Sequence, residues 1–333
     1  MKLALAHQLP RPTAFVLGGG GSWGALQLGM LEALATTDLT PDLVVGTSVG
    51  SLNGAIVAAD PDLAVERLRE IWPKITRADV FPGGWLRSLR TLTSTRTWIY
   101  DNAPLAELMT SMVPATTFAE LQIPFVAVAT DFTTGAIAEL DSGELRSALL
   151  ASTAIPGIYP AVHRDGHVLV DGGVVANVPI TSAIRRGARS LVVLDCGLPG
   201  VNTKRAGTIL DVLVQSLTIG ARQAMASDLA LAGEVPVVWL SRGTPNLTTM
   251  LDFSATETMR AEARMHSLDV LARLTRTGIP GPGLYGAVTG LLRPLDIALG
   301  RTPAVPVALA PPEAPTGAGG PAPAVPEIAD QHR

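Results

Sequence analysis

Twice between residues 14 and 59 a short apolar run stops at glycine and gives way to a helical pattern. Ala14-Phe15-Val16-Leu17 runs into Gly18-Gly19-Gly20-Gly21, after which Leu28, Leu31 and Leu34 recur at helical spacing from Gly24 onward. Asp42-Leu43-Val44-Val45 stops at Gly46, and Leu52-Asn-Gly-Ala-Ile-Val-Ala-Ala59 follows. Strand, glycine turn and helix occurring twice in about 45 residues predict an α/β chain with a parallel sheet and crossover helices.

Ile123-Pro-Phe-Val-Ala-Val-Ala-Thr130, Ser190-Leu-Val-Val-Leu-Asp195 and Pro236-Val-Val-Trp-Leu240 read as further strands, the last with its proline at the first position, where a strand tolerates it. In His163-Arg-Asp-Gly-His-Val-Leu-Val170 an Asp-Gly pair lies between strand formers and predicts a tight hairpin. Helical stretches are expected near Ile209–Leu231 and Thr256–Leu274. From Arg301 to Arg333 the chain is rich in proline and alanine, with eight prolines and no strong period, and is expected to be a disordered tail.

Hydrophobic residues at 47% against 16% charged ones suit a large core. With 25 basic and 29 acidic residues the net charge is −4, which argues against a nucleic-acid partner. One cysteine, Cys196, excludes an intrachain disulfide framework and a thiolate metal cluster. None of the three lysines, Lys2, Lys74 and Lys204, follows a glycine, so a Walker-type phosphate loop is absent. The apolar stub before Pro10 is shorter than a secretory h-region. Leu284–Leu299 is greasy but broken by Arg293, Pro294 and Asp296, and packing on the core is favoured over lying on a membrane. A soluble, cytoplasmic protein is expected, with peripheral membrane contact left open.

Gly46-Thr-Ser-Val-Gly50 fits G-x-S-x-G, the turn that projects a serine from a strand end into a helix. Gly20-Gly-Ser-Trp-Gly24 fits it too, but Ser22 lies several residues past its strand, whereas Ser48 follows Val45 closely and precedes a helix. Ser48 is therefore the candidate nucleophile. The run Gly18–Gly21 exposes backbone N–H groups at a helix start, a geometry suited to a phosphate or to the oxyanion of acyl transfer. Gly19, Gly21 and Gly24 also satisfy G-x-G-x-x-G, but the next strand ends in Gly46-Thr-Ser48 rather than in the acid that a dinucleotide needs. No cofactor is expected.

A serine nucleophile needs a base. Of His7, His163, His167, His266 and His332, only His266 and His332 fall late enough for the serine–acid–histidine order. His266 lies inside a helical stretch and His332 in the tail. His163 and His167 with Asp165 read as an exposed turn, and no metal is expected. Val168-Leu-Val-Asp171-Gly172-Gly173 places a carboxylate at a strand end, either as a base made stronger by desolvation or as a turn-forming residue.

Together these segments resemble the patatin-like phospholipase family. Leu17-Gly-Gly-Gly-Gly-Ser-Trp-Gly-Ala resembles its glycine-rich oxyanion box, Gly46-Thr-Ser-Val-Gly-Ser-Leu-Asn-Gly-Ala its nucleophile elbow, and Val170-Asp-Gly-Gly-Val-Val-Ala-Asn-Val-Pro its aspartate segment. Ala154-Ile-Pro-Gly-Ile-Tyr-Pro-Ala-Val matches a stretch upstream of the last, and the likeness runs from Thr13 to Ile180, continuing weakly near Leu251-Asp-Phe-Ser. The resemblance implies a three-layer α/β fold with a mostly parallel central sheet and helices on both faces. It places a catalytic region at 13–182 and leaves 183–300 to complete the same globule. It implies a Ser48–Asp171 dyad without histidine, oxyanion donors at Gly19, Gly20 and Gly21, and motif glycines at Gly24, Gly46, Gly50, Gly172 and Gly173. The family usually has Arg or Lys where this chain has Trp23, which removes a cation from that box.

The expected activity is hydrolysis of a lipid ester, phospholipid or lysophospholipid. A short-chain carboxylesterase and a non-catalytic anion-binding protein are the alternatives. Trp72, Trp85 and Trp98 fall in one segment with Lys74, Arg77, Phe81, Arg87, Arg90 and Arg96. That mixture suits a lipid interface, but a solvated insertion with inward-packed tryptophans is the favoured reading. Nothing in the sequence speaks to the oligomeric state.

Overall fold

The computed structural model describes residues 2–81, 97–197, 219–221, 225, 228, 235–241, 250 and 252–279. The expectations for Trp85, Arg87, Arg90, Arg96, Leu284–Leu299, His332 and the tail from Arg301 lie outside the described residues, as does most of Ile209–Leu231.

Among the described residues eight strands form one sheet: β1 (Thr13–Leu17), β2 (Leu43–Thr47), β3 (Phe125–Asp131), β4 (Ile137–Leu140), β5 (Val162–Arg164), β6 (His167–Asp171), β7 (Ser190–Leu194) and β8 (Val237–Leu240). The helices are α1 (Gly24–Leu34), α2 (Val49–Ala59), α3 (Ala64–Ile71), α4 (Arg77–Val80), α5 (Ala103–Met112), α6 (Leu145–Ser152), α7 (Ile180–Arg185) and α8 (Thr256–Thr277). Strands β3, β2, β1, β7 and β8 run parallel in that order. The antiparallel pairs lie at one side, where β4 and β6 flank β3 and β5 flanks β6. The mostly parallel α/β sheet expected from the strand–glycine–helix units is what the chain forms.

Every residue of β1, β2 and β7 is buried, because helices cover both faces. Phe15, Leu17, Val44, Val192 and Leu194 pack with Leu26, Leu28, Ala55 and Ile56 of α1 and α2. Their neighbours Ala14, Val16, Leu43, Val45, Leu191 and Val193 pack with Ile180 and Ala183 of α7 on the other face. The two-residue strand period thus separates the two layers.

All eleven residues of α1 are buried. Its outer side meets α8 so closely that a β-carbon on Gly29 would stand 2.1 Å from Arg260 O and 2.8 Å from Arg264 N. Only glycine permits that backbone approach. Helix α8 answers with one buried stripe, Met259, Ala263, Ser267 and Leu271, and carries His266 beside it. Trp72 packs inward, 2% exposed, with its indole N–H donating to Asn53 Oδ1 at 3.1 Å, as the inward-packing reading expects. Trp98 is half-buried.

The register along β3 positions the site. On one side β3 carries β4, which pairs with Ala127–Thr130. On the other side it carries two strands in series: β2 opposite Phe125–Val128, and β6 opposite Ala129–Asp131. Strand β2 is parallel to β3 and β6 is antiparallel, so they run toward each other along one edge. Their last residues, Thr47 and Asp171, oppose the adjacent Val128 and Ala129.

Candidate active site

Ser48 is the first residue past β2 and caps α2. Its φ of 54° and ψ of −126° put a non-glycine residue in the left-handed half of the map, a strain on the order of 1–3 kcal/mol that the surroundings must hold. Its N–H donates to Ser152 Oγ at 3.0 Å, and that hydroxyl donates to Val128 O at 2.6 Å. The Ser48 carbonyl accepts from Ser51 N–H at 2.8 Å. Both flanking positions must be glycine because the chain crosses closely here. A β-carbon on Gly46 would lie 2.4 Å from Gly50 O, and one on Gly50 would lie 2.2 Å from Leu17 O.

Asp171 ends β6, 5% exposed. Its Oδ2 accepts the Ser48 Oγ–H at 2.7 Å, while Oδ1 accepts Gly173 N–H at 2.7 Å. One carboxylate oxygen thus forms the turn and the other meets the serine. Burial pushes its carboxyl up to about 6, against the lowering by the Ser48 and Gly173 hydrogen bonds. Gly172 lets the turn pass beneath β3, since a β-carbon there would sit 2.3 Å from Val128 O.

The glycine loop lies beside the serine: a β-carbon on Gly19 would be 3.3 Å from Ser48 Cβ. The three glycines expected as donors do not behave alike. Gly19 N–H is committed to Asn177 O at 2.9 Å, whereas the N–H groups of Gly20 and Gly21 have no hydrogen-bond partner among the described residues. Val49 N–H, at the start of α2, has none either. Gly21 has φ +58°, and Met250 O stands 2.4 Å from where its β-carbon would be. Gly24 sits under Trp72 and Val49. Trp23 is buried in the core, so the position that carries a cation in the family's box serves packing here.

Three supports were not legible as site residues. Gln27 Nε2 donates to Gly18 O at 2.8 Å and to Leu194 O at 3.2 Å, and its Oε1 accepts from Asn53 Nδ2 at 2.8 Å. Lone amides inside apolar helices were the available signal. Thr47 Oγ1 donates to Ala176 O at 2.8 Å, so the loop after Asp171 is stitched to the elbow as well as to Gly19. Ser152 offers no such sequence signal.

The histidines stand elsewhere. His163 is exposed, and His167 Nδ1 lies 2.7 Å from Asp131 Oδ2, an interaction that holds the Asp131 carboxyl below its usual range. None of the four described histidines is hydrogen-bonded to Ser48 or Asp171. Among the described residues no group of three or more His, Cys, Asp or Glu is placed to hold a metal.

A strained serine between strand and helix, a desolvated carboxylate on its hydroxyl and unpaired amides alongside are the parts that acyl transfer through a serine ester requires. The patatin-like phospholipase family model matches residues 15–184, and the chain belongs to that family. Patatin-like phospholipase domain-containing protein 7 of Mus musculus is 29% identical over 187 residues, 55% of this chain and 13% of that protein. Neuropathy target esterase sws of Drosophila melanogaster is 29% identical over 186 residues, again 55% of this chain and 13% of the relative. This chain therefore spans only a small part of the length of these relatives. The crystal structure of VipD from Legionella pneumophila superposes with a TM-score of 0.43 at 14% identity, covering 80% of this chain and 67% of that one.

Proposed function

We propose that this chain is a serine acyl hydrolase acting on lipid esters, with Ser48 as nucleophile and Asp171 as its base. The observation that carries the reading is the 2.7 Å hydrogen bond from Ser48 Oγ to Asp171 Oδ2. Ser48 Oγ attacks the ester carbonyl carbon and its proton passes to Asp171. The carbonyl oxygen becomes an oxyanion that would be received by the amides of Gly20, Gly21 and Val49, which have no partner among the described residues. The alkoxide leaves with the proton from Asp171. Water then attacks the acyl-serine, gives a proton to Asp171, and Ser48 recovers it as the acid departs. The chemistry is assigned to 13–182.

The lipid half of the proposal rests on the family, and the fly relative's name as an esterase supports ester cleavage. No helix among the described residues is long and apolar enough to cross a membrane.

A fluorophosphonate probe should label the chain at Ser48 and nowhere else; a folded protein that stays unlabelled would favour an anion-binding role instead. Assaying one ester series above and below the concentration where it aggregates separates a lipase-like preference from a short-chain esterase. Asp171 must be ionised to accept the serine proton, and its carboxyl lies near 6. The value of kcat/KM should therefore climb with pH through about 6, with a single-proton acid limb. A flat profile between about pH 5 and 8 would remove Asp171 as the base.

A further inference from the structure

Asn177 is 8% exposed and lies in the loop that follows Asp171. Its backbone carbonyl already holds Gly19 N–H. Its side chain is another matter. Among the described residues Nδ2 is sealed from solvent and finds no acceptor, and no donor reaches Oδ1. A buried amide N–H group left without an acceptor costs stability, and such groups are rare.

The position of that carboxamide gives it a use. Oδ1 would stand 2.7 Å from a β-carbon on Gly19, and that same point is 3.3 Å from Ser48 Cβ. Oδ1 would also stand 3.2 Å from a β-carbon on Gly173, a point 3.0 Å from Asp171 Oδ1. Oδ1 thus lies beside both the nucleophile and the base, against the glycine loop.

We propose that Asn177 positions the hydrolytic water of the second half-reaction, an inference that rests on the Ser48–Asp171 reading above. Water has two hydrogens. One goes to Asp171 as the water oxygen attacks the acyl carbonyl carbon, and the other is held by Asn177 Oδ1. Ser48 Oγ then leaves, takes the proton from Asp171, and the carboxylic acid is released. An alcohol has only one such hydrogen, which Asp171 takes, so it makes no use of Asn177.

That asymmetry supplies the test. The acyl-enzyme formed from p-nitrophenyl butyrate is partitioned between water and added methanol, and butyrate and methyl butyrate are counted. The ratio is independent of how much protein is folded. Asn177→Ala should shift it toward methyl butyrate by about tenfold, and a burst of p-nitrophenol should appear as deacylation becomes limiting. Asn177→Asp keeps the shape and the acceptor oxygen and should keep the wild-type ratio. An unchanged ratio in Asn177→Ala, or an equal shift in both variants, overturns the inference. Ser48→Ala run alongside separates the two failures. If it still turns over ester, the dyad reading falls; if it is inactive while the Asn177→Ala ratio stays native, only the role of Asn177 falls.

Discussion

Ser48→Ala and Asp171→Asn are each expected to lower ester hydrolysis by roughly 10⁴-fold, yet to move thermal stability in opposite directions at pH 8. The opposition follows from the buried carboxylate. Asp171 titrates near 6 in the folded chain because burial outweighs its two hydrogen bonds, against 3.8 as its ordinary value. Between those values the folded protein holds a proton that the unfolded chain has released. The protonated group's advantage is full below about pH 4 and is lost as pH rises through 6, a difference on the order of 3 kcal/mol. Asparagine carries no charge to desolvate and keeps an oxygen for Gly173 N–H. Asp171→Asn should therefore melt several degrees above the wild type at pH 8 and close to it near pH 4. Ser48→Ala deletes a donor that favours the ionised form and should melt lower at pH 8. Scanning calorimetry of the three proteins at both pH values checks this. A gain in Asp171→Asn that ignores pH would show that desolvation of this carboxylate is not its source.

Gly50→Ala is the second large effect. The new β-carbon would lie 2.2 Å from Leu17 O and 2.6 Å from Gly18 O, both backbone atoms that no rotamer change can move aside. Relief requires the start of α2 to lift from the end of β1, which carries Ser48 away from the glycine loop. Overpacking of this kind costs about 1–3 kcal/mol or more. A displacement of about 1 Å between reacting groups costs on the order of 100-fold in rate. Gly220→Ala is the control, since nothing among the described residues lies within 4 Å of its β-carbon position. Urea unfolding and kcat measured on both variants test the contrast, and wild-type behaviour of Gly50→Ala would refute the crossing described here.

The elements that were legible are those with strong local chemistry. The apolar runs of β1 and β2, the glycines that stop them and the helices after them could be placed because each signal lies within a few residues. Strand β4 is four half-buried residues, too short to show a period. Helices α3 and α6, eight residues each, give little more than two turns. Each is held by tertiary burial, of Leu68 in one and of Leu145 and Leu149 in the other, rather than by its own propensity. The same limit explains Gly19. Its N–H was expected to be free, but its partner, Asn177 O, comes from a loop remote in sequence.

The sequence by itself determined where the backbone must bend: glycines at 46 and 50 permit the serine turn, and those at 172 and 173 permit the turn after the aspartate. It also named both residues as candidates. Only the tertiary structure decided that they touch. Strands β2 and β6 run head to head along one edge of β3, and their ends meet at Val128 and Ala129. Long-range pairing sets that register, and with it the dry pocket that raises the Asp171 carboxyl. No window of neighbouring residues contains either.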